Sequence, residues 1–162
     1  MASMLASRPR VLEREGQPVR VLIVDDEPTV VRLVERILRE AGCDTATAFS
    51  GPEALTIADQ RQFDLLLTDV IMPEMRGYEL AARLQYRQPD LPVLYLTGYS
   101  DDLFQEKVHL WQHEAYLEKP CSVQGLLEAV SLVLASGASA APIRPSLRTR
   151  FARSFGWQAE NV

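Results

Sequence analysis

Asp64-Leu65-Leu66-Leu67-Thr68-Asp69 is the stretch that decides the fold of this chain. Three leucines in succession leave no polar face for water, so the segment reads as a strand buried on both sides, as in a parallel sheet with helices over each face. The run stops at Asp69, and the turn Met72-Pro73-Glu74-Met75-Arg76-Gly77 follows. A charge at the end of a buried strand is hard to dismiss as solvated surface.

Toward the N-terminus, Val19 to Val24 is a second apolar run that ends abruptly in Asp25-Asp26-Glu27-Pro28. Pro28 suits the first turn of a helix. That helix, about Pro28 to Ala41, is expected to bury Val30, Leu33, Val34, Ile37 and Leu38, and Gly42 ends it. A strand over Asp44 to Phe49 then precedes Ser50-Gly51-Pro52 and a helix through about Arg61.

Toward the C-terminus, a helix of about Tyr78 to Arg87 buries Leu80, Ala81 and Leu84. The strand Val93 to Leu96 ends at Thr97-Gly98, and Asp101 or Asp102 can cap a helix running to about His113. A last strand, Ala115 to Leu117, ends near Lys119-Pro120; Ser122 can cap a final helix that buries Leu126, Leu127, Val130, Val133 and Leu134. Five β-α units of this kind predict an α/β fold, a doubly wound five-stranded parallel sheet in the order 2-1-3-4-5.

The 162 residues suit one domain with tails: an N-terminal extension over 1–18, a domain over 19–135 and a tail over 136–162. Apolar residues at 47% and charged residues at 24% place the chain among globular proteins. No apolar run approaches the roughly 18 residues of a membrane span, and Met1 to Pro18 lacks the apolar segment of a secretory signal. A cytoplasmic location is the expectation. Cys43 and Cys121 show no metal-type or redox-type spacing and read as free thiols.

The net charge of −5 is uneven: residues 1–18 carry +1, residues 136–162 carry +3 and the section between holds −9. An acidic body argues against direct DNA binding by the core. The tail stretch Leu147 to Trp157 interleaves arginine with aromatic residues, which suits either docking on a partner or a solvated tail. The 27 residues after Ala135 are too few for an ordinary output domain.

Asp25 with Asp26, Asp69, Thr97 and Lys119 all fall at or just past the C-terminal ends of different strands. In open parallel sheets that edge binds ligands where the strand order reverses. Carboxylates brought together there raise one another's pKa unless a cation relieves them. Magnesium, a hard ion that tolerates two direct carboxylates, a backbone carbonyl and several waters, fits best. A fixed aspartate beside magnesium, with an ammonium and a hydroxyl to receive phosphoryl oxygens, is equipment for phosphoryl transfer to a carboxylate. The competing reading, Asp25 and Asp26 as simple helix caps, stays open on spacing alone.

Val24-Asp25-Asp26-Glu27, Thr68-Asp69-Val70-Ile71-Met72-Pro73, Leu96-Thr97-Gly98 and Glu118-Lys119-Pro120, in this order and each after a strand, resemble response-regulator receiver domains of two-component signalling, over about residues 19–135. The resemblance implies a flavodoxin-like fold and a phosphorylation switch. Asp69 is then the phosphoacceptor, supplied by a histidine kinase or histidine phosphotransfer protein. Asp26 and Asp69 hold Mg2+ directly, Asp25 through water, and the backbone carbonyl of Ile71 completes the protein ligands. Thr97 and Lys119 contact the phosphoryl group, and Tyr116 is the aromatic switch that turns inward. The Lys119–Pro120 bond is a candidate for the cis form.

The output implied is binding to a downstream protein or a phosphorelay, with phosphorylation-dependent homodimerisation in some relatives. Such a protein is no enzyme beyond self-phosphorylation from acyl phosphates and self-dephosphorylation. Two departures are visible: Cys121 stands where phenylalanine is common, and aliphatic Ile71 stands where some relatives place a polar residue, which predicts slow dephosphorylation.

The alternative is a magnesium phosphohydrolase with Asp69 as covalent nucleophile, but Ile71 occupies the place where such enzymes carry a second acid. A decayed scaffold would have no need of all these chemical positions, and no Gly-rich nucleotide loop follows the first strand. His109 and His113 have the spacing of a helical metal pair without a third ligand, so a solvated helix face is the simpler reading.

Overall fold

The structure, a computed structural model, describes residues 12–98, 113–119 and 122–137. In chain order its strands are β1 (Glu13–Arg14), β2 (Gln17–Pro18), β3 (Arg20–Val24), β4 (Asp44–Ala48), β5 (Leu65–Thr68), β6 (Val93–Thr97) and β7 (Glu114–Glu118). Its helices are α1 (Pro28–Glu40), α2 (Gly51–Gln60), α3 (Gly77–Arg87) and α4 (Val123–Gly137). The ends fall within two residues of the predicted ones. Strands β4-β3-β5-β6-β7 pair in that order, all parallel, which is the expected 2-1-3-4-5 arrangement of the five units.

Right-handed crossovers place α1 on one face of the sheet and α2 with α3 on the other, where the two touch. The three leucines of β5 are at most 2% exposed, as are Val21 to Val24 of β3 beside them. Burying such side chains supplies about 1.5–3 kcal/mol each before entropy is counted. Leu80, Ala81 and Leu84 close over the sheet from α3, and Leu126, Ala129, Val130 and Val133 from α4.

Capping follows local chemistry. Ser50 Oγ accepts the Glu53 N–H at 3.2 Å, while the Glu53 carboxylate accepts the Phe49 N–H at 2.9 Å. Ser122 Oγ accepts the Gly125 N–H at 2.9 Å, so it caps α4 as expected. Gly42 takes φ +90° and ends the α1 segment.

One expectation for α1 fails. Leu33 is 58% exposed, whereas Val31, Val34 and Leu38 are buried and Val30 and Ile37 partly so. At about 100° per residue, Val34 lies at the centre of the buried stripe, with Val31 at one edge and Leu33 beyond the other.

A feature the sequence reading did not single out is the β1–β2 hairpin within the segment assigned to the N-terminal extension. Glu15 and Gly16 both have positive φ, 53° and 74°, giving a two-residue turn of the kind that matches strand twist. Leu12 ties the hairpin to the domain through Leu12 N–H to Ala41 O at 2.9 Å and Val19 N–H to Leu12 O at 3.1 Å. The helix expected from Asp101 or Asp102, the Lys119–Pro120 bond, Cys121, His109 and the tail from Leu147 to Trp157 lie outside the described residues.

Candidate functional site

The sheet ladder itself delivers two carboxylates to one place. Val24 of β3 pairs with Thr68 of β5, and the next residues leave the sheet side by side: Asp69 N–H donates to Val24 O at 2.9 Å and Asp25 N–H to Ala48 O at 3.2 Å. With exposed Asp26, one carboxylate oxygen from each of Asp25, Asp26 and Asp69 falls within 4.8 Å of the others. Asp25 is 2% and Asp69 7% exposed.

Lys119, arriving from the end of β7, places Nζ 2.6 Å from Asp25 Oδ2 and 3.7 Å from Asp69 Oδ2. The other oxygens are fixed by backbone: Asp69 Oδ1 accepts the Val70 N–H at 2.8 Å and Asp25 Oδ1 the Glu27 N–H at 2.9 Å. Glu27 is the N-cap of α1 and no side chain caps that helix, so Asp25 turns toward the lysine and the chain ahead of the helix instead of capping its first turn.

Electrostatics follow from crowding. Burial, reinforced by the neighbouring Asp25 and Asp26 charges, pushes the Asp69 carboxyl up to about 6 against the pull of Lys119. Burial also raises Asp25, with the Lys119 hydrogen bond opposing it. Desolvation weakens the Lys119 charge, but the bond to Asp25 and the attraction of Asp69 outweigh it, so its pKa is raised. Among the described residues the Lys119 ammonium pairs with two of the three acids, Asp25 and Asp69, and oxygen donors so placed fit a hard divalent cation of the magnesium type.

The loop after Asp69 is held by contacts that sequence reasoning missed. At Gly77 any Cβ would lie 1.9 Å from the Asp69 carbonyl oxygen, and Gly77 N–H donates to Val70 O at 2.8 Å. Only glycine lets α3 start against the backbone of Asp69. Thr68 Oγ1 donates to that same Asp69 carbonyl at 2.9 Å. A Cβ at Gly51 would lie 2.7 Å from Met75 Sδ, so α2 grips the loop from its other side. Between them Glu74 takes φ +71° within a tight turn closed by Met75 N–H to Pro73 O at 2.8 Å. The sequence signal for Gly77 was a glycine placed where a helix begins just after the acid.

The other predicted positions divide. Ile71 lies in this loop, partly buried against the core. Tyr116 is 2% exposed on β7, in register with Tyr95. Thr97 ends β6 opposite Glu118, and its side chain is not among the groups described. His113 sits apart, Nε2 3.7 Å from Asp90, and joins no metal-type group among the described residues. Cys43 is a buried free thiol, pushed up to about 11 by desolvation. Among the described residues no helix is long and apolar enough to cross a membrane.

Comparison with known proteins agrees with this geometry. The chain is 35% identical over 112 residues to the probable transcriptional regulatory protein TcrX of Mycobacterium tuberculosis, a match covering 68% of this chain and 47% of TcrX, so it spans about half that relative's length. It is 30% identical to protein PilG of Pseudomonas aeruginosa, over 74% of this chain and 90% of PilG. The chemotaxis response regulator CheY4 of Vibrio cholerae superposes with a TM-score of 0.64 at 34% identity, covering 72% of this chain and 99% of CheY4. Residues 21–131 match the family described as the response regulator receiver domain, and to that family of two-component signalling the chain belongs.

Proposed function

We propose that the chain is a phosphorylation switch that accepts a phosphoryl group on Asp69 from a phosphohistidine of a kinase or phosphotransfer protein. The observation that carries this reading is the convergence of Asp25, Asp26 and Asp69 within 4.8 Å, with Lys119 Nζ 3.7 Å from Asp69. Asp26 and Asp69 would hold Mg2+ directly, Asp25 through water, with the Ile71 carbonyl as a further ligand. The ion would neutralise phosphoryl oxygens as charge develops on them.

The remaining work falls to the chain. The Val70 N–H pins one Asp69 oxygen and so orients the carboxylate for in-line attack on phosphorus. An Asp69 oxygen forms the new O–P bond as the donor's N–P bond breaks and its imidazole leaves with the electron pair. Lys119 counters the charge on the transferred oxygens, Thr97 donates a hydrogen bond to one of them, and inward Tyr116 completes the switched state.

Residues 19–135 are the receiver unit in this reading. Its acidic body favours output by protein contact or relay over direct DNA binding. Phosphorylation-dependent dimerisation, slow self-dephosphorylation owing to Ile71, and a cytoplasmic setting belong to the same reading.

The test is incubation with acetyl phosphate and magnesium, followed by mass spectrometry before and after hydroxylamine. A hydroxylamine-labile adduct at Asp69, absent in Asp69→Asn and in chelator, is expected. A generic aryl phosphate should undergo negligible multiple turnover. An adduct at another residue overturns the proposal.

A further inference from the structure

Thr68 ends the apolar run of β5 with a hydroxyl, and it does so where water does not reach, since the residue is 0% exposed. A buried hydroxyl is costly unless it is bonded, and valine would fill nearly the same volume without that cost. Among the described residues the hydroxyl makes one hydrogen bond, from Oγ1 to the Asp69 carbonyl oxygen at 2.9 Å.

That carbonyl and the Val70 N–H are the two ends of one peptide group. The group is planar, so holding its oxygen also sets the direction in which its N–H points. It points at the Asp69 carboxylate, where Oδ1 accepts it at 2.8 Å. Gly77 closes the other side of the peptide. A Cβ there would lie 1.9 Å from the Asp69 carbonyl oxygen and 3.2 Å from Thr68 Oγ1, and the Gly77 N–H holds the next carbonyl, that of Val70, at 2.8 Å. The contacts therefore run without a break from hydroxyl to peptide to carboxylate.

We propose that Thr68 is a positioning residue for the reaction at Asp69: its hydroxyl, acting through the peptide group it anchors, holds the Asp69 carboxylate in the orientation from which it attacks phosphorus. This rests on the reading of Asp69 as phosphoacceptor. Thr68 itself touches neither donor nor leaving group. Were the peptide to tilt, Oδ1 would lose its N–H and Oδ2, 3.7 Å from Lys119 Nζ, would lose its bearing on the ammonium. In-line transfer is sensitive to displacements of that size.

The test compares, in the full chain, Thr68→Val, which keeps the shape and removes the hydroxyl, with Thr68→Ser, which keeps the hydroxyl. With acetyl phosphate and magnesium, valine should slow adduct formation at Asp69 about tenfold and serine should restore most of the rate. Val93→Ala, a buried truncation in β6 outside this run of contacts, should lower stability in urea yet leave the rate near the native one, which separates positioning from stability. In the metal-free chain the Val70 amide proton should lie further upfield and exchange faster in Thr68→Val than in the native protein or Thr68→Ser. If valine prevents folding, Thr68→Ala takes its place. A native rate in Thr68→Val, no recovery in Thr68→Ser, an equal slowing by Val93→Ala or an unchanged Val70 amide overturns the proposal. The amide measurement needs neither donor nor ion, so it judges Thr68 apart from any failure of Asp69 to accept phosphate.

Discussion

Strand β5 has an aspartate at each end, and the two live in opposite circumstances. Asp64, just before it, accepts hydrogen bonds from Arg20 N, Nε and Nη2 at 2.9, 3.1 and 3.1 Å, with Arg14 3.9 Å away. Burial would raise its carboxyl, but Arg20 more than offsets this and holds it below the ordinary carboxylate range. Asp69, just after the strand, is crowded by two further acids and shares one lysine, whose closer partner is Asp25. One end of a buried strand is electrostatically satisfied and holds the fold together. The other is left wanting a cation, the condition a reactive carboxylate site requires.

The strongest challenge to that contrast is Gly77→Ala. Its Cβ would overlap the Asp69 carbonyl oxygen at 1.9 Å, so backbone must move. A loss of about 3 kcal/mol in urea unfolding, together with slower adduct formation at Asp69, is expected. Normal stability would show that the loop after Asp69 is looser than its contacts imply.

Asp64→Ala should cost about 2 kcal/mol at neutral pH, because the Arg20 donors lose a charged acceptor. A depressed folded-state pKa means this contribution is present above the unfolded value near 4 and is lost as pH falls through the lower folded value. Urea melts of both proteins across that window should therefore converge toward the acid end. Parallel curves would show that the pair acts by packing alone.

At the other end, Asp69→Asn should stabilise the metal-free protein, by about 1 kcal/mol, since it removes one of the crowded charges. Magnesium should narrow that gap by binding the native site, an effect readable as the shift in melting temperature on adding the ion. A destabilised variant would mean Asp69 is already compensated. The smallest effect is expected at Glu15→Asn in the β1–β2 turn, a gain of a few tenths of a kcal/mol from a residue that tolerates positive φ, measured by thermal melting.

The sheet and the acid site were legible because they are written locally. Leu65 to Leu67 can only be a buried strand, and Asp25, Asp69 and Lys119 each follow such a run. What escaped was either non-local or slight. The Arg20–Asp64 pair spans 44 residues, and nothing in either segment names the other. Leu33 misled because apolar residues extend beyond the buried stripe of α1, and periodicity cannot choose the stripe's edge. The hairpin at Glu15-Gly16 carries one glycine as its only turn signal. Gly77 is recognisable as a turn residue, but its 1.9 Å approach to Asp69 appears only once α3 and β5 are placed together.

The ammonium of Lys119 reaches Asp25 across 94 residues of sequence. During synthesis the acids of β3 and β5 therefore leave the ribosome long before their counter-charge does. A nascent chain displays the acids without their ammonium, so on the proposed reading competence at Asp69 arises only when the last strand has docked.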